Sequence, residues 1–252
     1  MVGKEVSMIV SWNEQLVAEE DVRVSVRSAM LLRGEGVFET LRVKQGQVMY
    51  WADHAERLAN GAERLGFKMP TSLEEGIGKV AEANGLGDAR MRITLGEDVL
   101  VTASELEESS ESLTAVTSEV FPINEKGLLA GVKCCSYAEN MMLLRSVEAE
   151  EVLRQNTRGE LCEGCVSNIF FVLKGQICTP SLEVGCLPGV MRKQVIRTVN
   201  VEEGLWPIAV LQEAEEVWVS NATKKLRFVR ELDGRLMGEP SGLLRKVNEM
   251  IS

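Results

Sequence analysis

The chain has 252 residues, enough for one large domain or for two of roughly 100 to 150 residues. Its net charge of −10 and pI near 4.9 repel phosphate backbones and anionic membranes, so neither is an expected partner, and any anionic ligand must meet a local cluster of arginines. No basic-then-apolar leader and no apolar run approaching a membrane span stands in the sequence, and the expectation is a protein of the cytoplasm.

Residues 7–12 and 16–18, joined by Asn13-Glu14, predict a hairpin, and the alternation over 22–26 predicts a strand extending that sheet. Leu31-Leu32-Arg33-Gly34-Glu35-Gly36 follows, with two glycines that mark a tight backbone path ahead of a strand over 37–43. A turn at Gln45-Gly46 leads to a strand over 48–51. From 52 to 65 the period becomes helical, with Leu58, Ala62 and Leu65 on one face, Asp53 placed as a cap and Arg57 at the edge of the apolar stripe. A second helix runs from Pro70-Thr71-Ser72 to about Asn84 and closes on Gly85. Strands are expected over 89–95, 99–103 and 113–120, with an acidic, serine-rich loop over 105–112.

The aperiodic stretch 121–127, with Pro122 and Asn124, predicts a linker between an N-terminal α+β domain (1–120) and a C-terminal domain (128–252). The second half begins with an expected strand over 128–135 that carries Lys133. A helix over 141–149, a strand over 151–154 and a turn at Thr157-Arg158-Gly159 come next. Strands over 160–164, 168–173 and 176–179 precede a helix over 189–200, with Pro188 just before it. A short helix at 211–214, strands over 216–220 and 226–232, a turn at Asp233-Gly234 and a helix over 241–251 complete the pattern.

Chemistry concentrates between Gly131 and Arg192. Lys133 sits between Gly131-Val132 and Cys134-Cys135; turned to water it is an ordinary strand-edge lysine, whereas turned inward it loses hydration and becomes a nucleophile toward an aldehyde. Glu163 lies among strand-forming residues and is either a sheet-face carboxylate paired with a cation or a partner for a protonated ring nitrogen. Pro188-Gly189 opens a helix whose N-terminus can hold a phosphate. All six cysteines also fall in the central stretch, and Cys162-x-x-Cys165 raises a thiol or zinc-binding alternative. Residues three apart on an extended strand point to opposite faces, so these two sulfurs are expected to diverge.

Six segments in order, GEGVFETLRV (34–43), HAERL (54–58), VKCCSY (132–137), RGELCEGCVSNIFFV (158–172), TPSLEVGCLPGVMR (179–192) and VSNAT (219–223), resemble the signature blocks of the class IV aminotransferases. That resemblance implies a two-domain fold-type IV architecture like that of D-amino-acid aminotransferase, of mixed α+β and α/β character, with pyridoxal 5'-phosphate as cofactor, an amino substrate and a homodimer. It further implies that Lys133 joins the cofactor aldehyde as an imine and moves the proton, that Tyr137 bonds the phenolic oxygen, and that Glu163 pairs with the pyridine nitrogen. Arg57 and the backbone N–H groups of Val190 and Met191 would take the phosphate, together with Ala222 or Thr223. Among family members the VSNAT block and GEGVFETLRV look most like aminodeoxychorismate lyase, which releases pyruvate and 4-aminobenzoate; a branched-chain or D-amino-acid aminotransferase is the alternative. Arg33 replaces the family's usual tyrosine and is placed, with Arg90 and Arg92, on the substrate side.

Overall fold

The computed structural model describes residues 7–108 and 110–251, and these form two compact units. The first comprises the chain up to Glu107 together with Lys133–Tyr137; the second comprises Glu108–Val132 and the chain from Ala138 onward. The stretch 121–127, expected as a linker, is therefore not a break between the compact units: its first three residues continue a strand of the second unit.

In the first unit, β1 (Ile9–Trp12) and β2 (Gln15–Ala18) make the expected hairpin, with Asn13 and Glu14 both at positive φ. The expected strand over 22–26 does not form, because after the 3-10 turn Glu19–Asp21 these residues find no partner strand and lie largely exposed. Helix α1 (Ala29–Arg33) ends at Gly34, whose φ of 68° supplies a left-handed terminus. Strands β3 (Val37–Lys44) and β4 (Gln47–Val48) follow. The strand expected over 48–51 is cut short because Tyr50 turns left-handed and α2 (Trp51–Arg64) begins at once; Tyr50, not Asp53, is its N-cap. Helix α3 (Leu73–Ala83), β5 (Ala89–Leu95) and β6 (Val99–Glu105) complete a six-stranded sheet in the order β2-β1-β6-β5-β3-β4, antiparallel at every pairing.

Alternation along β3 and β5 creates two faces. Glu39, Leu41 and Val43 lie level with Ile93, Met91 and Ala89 and are buried toward α2, which sends Leu58 and Ala62 into the same core. Phe38, Thr40, Arg90, Arg92 and Thr94 occupy the opposite face.

The second unit is built on β7 (Ser112–Ile123), α4 (Ala138–Arg145), β8 (Glu151–Asn156), β9 (Leu161–Gly164), β10 (Asn168–Leu173) and β11 (Gln176–Pro180). Helix α5 (Val190–Thr198), β12 (Glu202–Gly204), β13 (Glu216–Asn221), β14 (Lys225–Leu232), β15 (Arg235–Leu236) and α6 (Gly242–Met250) follow. The sheet runs β12-β11-β10-β13-β14-β7-β8-β9, with β15 beside β14 and parallel pairs at β11/β12, β14/β7 and β7/β8. Strand β10 is buried along Asn168–Val172, as its unbroken apolar run requires of a strand covered on both faces, and Phe170, Phe171 and Trp218 fill the core. The short helix expected at 211–214 is a 3-10 turn at Ile208–Gln212. No helix among the described residues is long and apolar enough to cross a membrane.

Candidate active site

The strand expected over 128–135 does not exist. Residues 127–131 turn back on themselves, through Ala130 N–H to Gly127 O and Val132 N–H to Leu129 O, with Gly131 at φ 69°. Lys133–Cys135 then pair with the start of β3: Phe38 N–H donates to Lys133 O at 2.9 Å, Cys135 N–H donates to Gly36 O at 2.7 Å, and Val37 bridges Cys134. The lysine backbone is thus pinned to a sheet, although no regular strand carries it.

This pinning presents the Lys133 side chain to aromatic faces. Its Nζ stands 4.3 Å from the Phe38 ring centroid and 5.6 Å from that of Tyr137, and the two rings meet edge to face at 5.4 Å. Arg92 covers Phe38 from 4.0 Å, its Nε donating to Thr94 Oγ1 at 3.2 Å, and burial lowers its pKa from the ordinary arginine value. Lys133, Tyr137 and Arg92 therefore gather around one phenylalanine. Half-buried Lys133 is not the solvated edge lysine of the ordinary reading.

Arg90 shares the strand face of Arg92 but is exposed, and Arg33 is exposed and paired with Glu35 at 2.5 Å. Close by, Ser136 Oγ donates to Arg33 O and Gly34 O, each at 3.3 Å.

On the other face of β3 the expected phosphate arginine is committed to a carboxylate. Arg57 donates from Nε and Nη2 to Glu39, and His54 Nδ1 lies 2.8 Å from Glu39 Oε2. Burial would raise the Glu39 carboxyl, but the Arg57 charge and the hydrogen bonds from His54 and Arg57 outweigh it and hold the group at about 2. Glu39 and His54 were not among the candidates drawn from the sequence. Their signal was available: His54 and Arg57 are three apart on a helix, hence neighbours, and Glu39 is an acid at a buried position of an otherwise apolar alternation.

In the second unit, Glu163 on β9 is half-buried and its Oε2 accepts the Leu187 N–H at 2.8 Å. Asn168 Nδ2 donates to Leu187 O at 2.8 Å, so both amide groups of Leu187 are held. Two residues on, Gly189 is the N-cap of α5 and offers no side-chain cap to the first N–H groups, those of Val190 and Met191. A Cβ on Gly189 would lie 1.8 Å from Asn168 Oδ1, so a larger residue there must displace Asn168 or the helix start. Arg192 fixes the helix by donating to Pro180 O and Glu203. In the β13–β14 turn Asn221 Oδ1 accepts from the Thr223 amide and hydroxyl and from the Lys224 amide, so the Thr223 hydroxyl is drawn onto Asn221 and Ala222 stands at the tip.

Each unit by itself carries groups that suit pyridoxal phosphate: in the second, an uncapped helix N-terminus fits a phosphate and a half-buried carboxylate fits a protonated ring nitrogen; in the first, a half-buried lysine beside aromatic rings fits an aldehyde.

The cysteines do not make a rival centre. Cys162 packs with Val184 and Cys186, Cys165 with Leu143 and Val152, and burial raises both thiols, Cys165 to about 12. Cys162 and Cys165 thus lie in separate core clusters, and among the described residues no group of three or more histidines, cysteines or acids could hold a metal ion.

The family model for amino-transferase class IV matches residues 36–232. The "Putative branched-chain-amino-acid aminotransferase" of Methanocaldococcus jannaschii is 29% identical, covering 89% of this chain and 88% of its own. Aminodeoxychorismate lyase of Bacillus subtilis is 24% identical over 91% of this chain and 88% of its own. The chain spans 47% of branched-chain-amino-acid aminotransferase-like protein 2 of Arabidopsis thaliana, at 25% identity. Among solved structures, the branched-chain aminotransferase of Thermoproteus uzoniensis with norvaline superposes with a TM-score of 0.90 at 25% identity, covering 98% of this chain and 94% of that one.

Proposed function

The chain belongs to the class IV aminotransferase family, and on that premise we propose that it transfers the amino group of a branched-chain amino acid to a 2-oxo acid such as 2-oxoglutarate. The observation that carries this reading is the near full-length likeness to the M. jannaschii protein, at higher identity than to the B. subtilis lyase. The lyase activity first expected from VSNAT and GEGVFETLRV becomes the second reading; the 24% identity to that lyase supports it. The thiol or zinc module falls away with the family assignment.

The enzyme uses pyridoxal phosphate, which when bound supplies an electron-withdrawing ring that stabilises negative charge on the substrate carbon. In the proposed scheme Lys133 would hold the cofactor aldehyde through Nζ and, once released from it, would move the substrate proton. The Phe38 and Tyr137 rings restrict its side chain and exclude water around the amine. Tyr137 donates to the cofactor's phenolic oxygen. Glu163, oriented by the Leu187 amide, keeps the ring nitrogen protonated. The Val190 and Met191 amides, the Ala222–Thr223 turn and Arg57 bind phosphate, Arg57 aimed by Glu39. Arg92, held over the Phe38 ring, takes a substrate carboxylate, with Arg33 and Arg90 as weaker contributors at the exposed edge. A second copy of the chain is the proposed partner; the exposed Val26, Leu31 and Leu32 side chains of the first unit support it.

The test is a visible spectrum of the purified protein, followed by assays with L-leucine, L-valine or D-alanine plus 2-oxoglutarate, and with 4-amino-4-deoxychorismate. Oxo-acid formation from the branched-chain substrates is expected. Pyruvate release from aminodeoxychorismate without any oxo-acid exchange would replace the transaminase reading by the lyase.

A further inference from the structure

Glu151, the first residue of β8, is a buried carboxylate without a role in the scheme above. It faces the turn between β9 and β10. Ser167 Oγ donates to its Oε2 at 2.6 Å and Val152 N–H donates to Oε1 at 3.0 Å, while the Cys165 N–H donates to Val152 O at 3.1 Å and so holds the turn against the same strand. The approach is so close that a Cβ on Gly164 would come within 2.7 Å of Glu151 Cδ and 2.4 Å of Ser167 Oγ. Glycine stands there because the carboxyl lies against the backbone.

Both residues bordering this turn hold the backbone of the same residue elsewhere. Glu163, just before it, accepts the Leu187 N–H, and Asn168, just after it, donates to Leu187 O. Leu187 is two residues from the N-cap of α5, Gly189, where the Asn168 side chain occupies the space a Cβ would need. An unbroken series of hydrogen bonds and close contacts therefore runs from Glu151 through the turn to Glu163 and to the start of α5.

We propose that Glu151 is a positioning residue which, by tethering the Gly164–Ser167 turn, sets both Glu163 and the N-terminus of α5 in register to receive the cofactor. The proposal rests on the cofactor roles given above for those two elements.

Every group bonded to the carboxyl is a donor, so the ionised form satisfies them all, whereas a proton removes one acceptor. Burial pushes the carboxyl up to about 7, against the bonds from Ser167 and Val152 that pull it down. The charged groups around it are Glu150 on its own chain segment, Lys224 and Lys225 from the β13–β14 hairpin and Arg227 from β14, which with Glu151 line a cavity of about 290 Å³; the buried Cys165 thiol faces it from the turn. Because the raised carboxyl ionises more readily once the turn opens to water, the tether should loosen as pH rises through about 7.

The experiment compares wild type, Glu151→Gln and Ser167→Ala by amide hydrogen exchange of the apoprotein and by the dissociation constant of pyridoxal phosphate between pH 6 and 8. In Glu151→Gln at pH 6, exchange at 164–168 and at 186–190 should rise about tenfold while β3 and β5 keep wild-type protection, and cofactor affinity should fall about tenfold. The variant should also lose the weakening of affinity with rising pH that wild type shows, and Ser167→Ala should change both readouts in the same direction by less. Unchanged exchange at 186–190, or a uniform rise throughout the second unit, overturns the proposal. Wild type that binds no cofactor overturns the functional reading instead, and the exchange of 186–190 still decides whether Glu151 holds that segment.

Discussion

Arg57 and Glu39 form a two-pronged ion pair, Nε to Oε1 and Nη2 to Oε2, both at 2.7 Å, with the carboxylate wholly buried and His54 at its other side. Removing one partner of such a pair leaves an uncompensated charge in the core, at a cost of about 3–5 kcal/mol. Arg57→Ala should therefore lower the stability of the apoprotein as well as weaken cofactor binding, and Glu39→Gln should do both without touching the arginine. Because the folded Glu39 carboxyl is held at about 2, below its ordinary 4.5, its contribution is complete above that ordinary value and is lost as pH falls toward 2. Urea denaturation of wild type and Glu39→Gln checks this: the stability gap should narrow steadily below pH 4.5, and a gap independent of pH would refute the assignment.

Lys133→Ala should abolish the absorbance of the lysine-bound cofactor and reduce turnover by roughly a thousandfold or more. Phe38→Leu keeps the amine but removes the ring shared with Arg92 and Tyr137. That variant should retain bound cofactor and raise KM for the amino acid, because the arginine loses the surface on which it lies. Turnover retained in the lysine variant, followed as oxo-acid formation, would sink the first expectation; an unaltered KM in Phe38→Leu would sink the second.

Regular elements with strong period were legible in the sequence. The 3.6-residue spacing of Leu58 and Ala62 and the alternation of β3 and β5 gave α2 and the central strands to within a residue or two, because burial against one partner face dictates both. Residues 22–26 and 128–135 misled for a common reason. Each has strand composition, but a strand needs a neighbour, and pairing is decided by residues far away in the chain. The turn that carries Lys133 was legible only through the resemblance of VKCCSY to a family block. Glu39 and Glu151 went unread because a carboxylate in a sequence gives no sign that its partners, 18 residues away at Arg57 and 16 away at Ser167, will meet it in the core.

Gly189→Ala is a test of the phosphate-binding end alone. Its Cβ would fall 1.8 Å from Asn168 Oδ1, so either Asn168 gives up its bond to Leu187 O or α5 shifts outward. Either response should cost about 1–3 kcal/mol of stability and displace the Val190 and Met191 amides. Affinity for pyridoxal phosphate should drop more than affinity for pyridoxal, which lacks the phosphate. Equal losses for the two compounds would place the phosphate elsewhere.

Glu151 and Glu39 are both buried acids, but their linkage to pH has opposite sign. Folding raises the Glu151 carboxyl from its ordinary 4.5 to about 7, so the native state holds that proton more tightly than the unfolded chain. The stability Glu151 lends is present in full below 4.5 and is lost as pH rises through about 7, a change of about 3 kcal/mol from the two pKa values. Ionisation improves the bonds to Ser167 and the Val152 amide, yet desolvating the charge costs the fold more than those bonds return. Glu151→Gln carries no titrating group, so its stability relative to wild type should increase by about that amount between pH 4.5 and 8. Denaturant unfolding of both proteins at the two pH values cancels every other titrating group. A difference that stays constant would mean that the carboxyl is already ionised in the weakly acidic range, with its hydrogen-bond donors outweighing its burial.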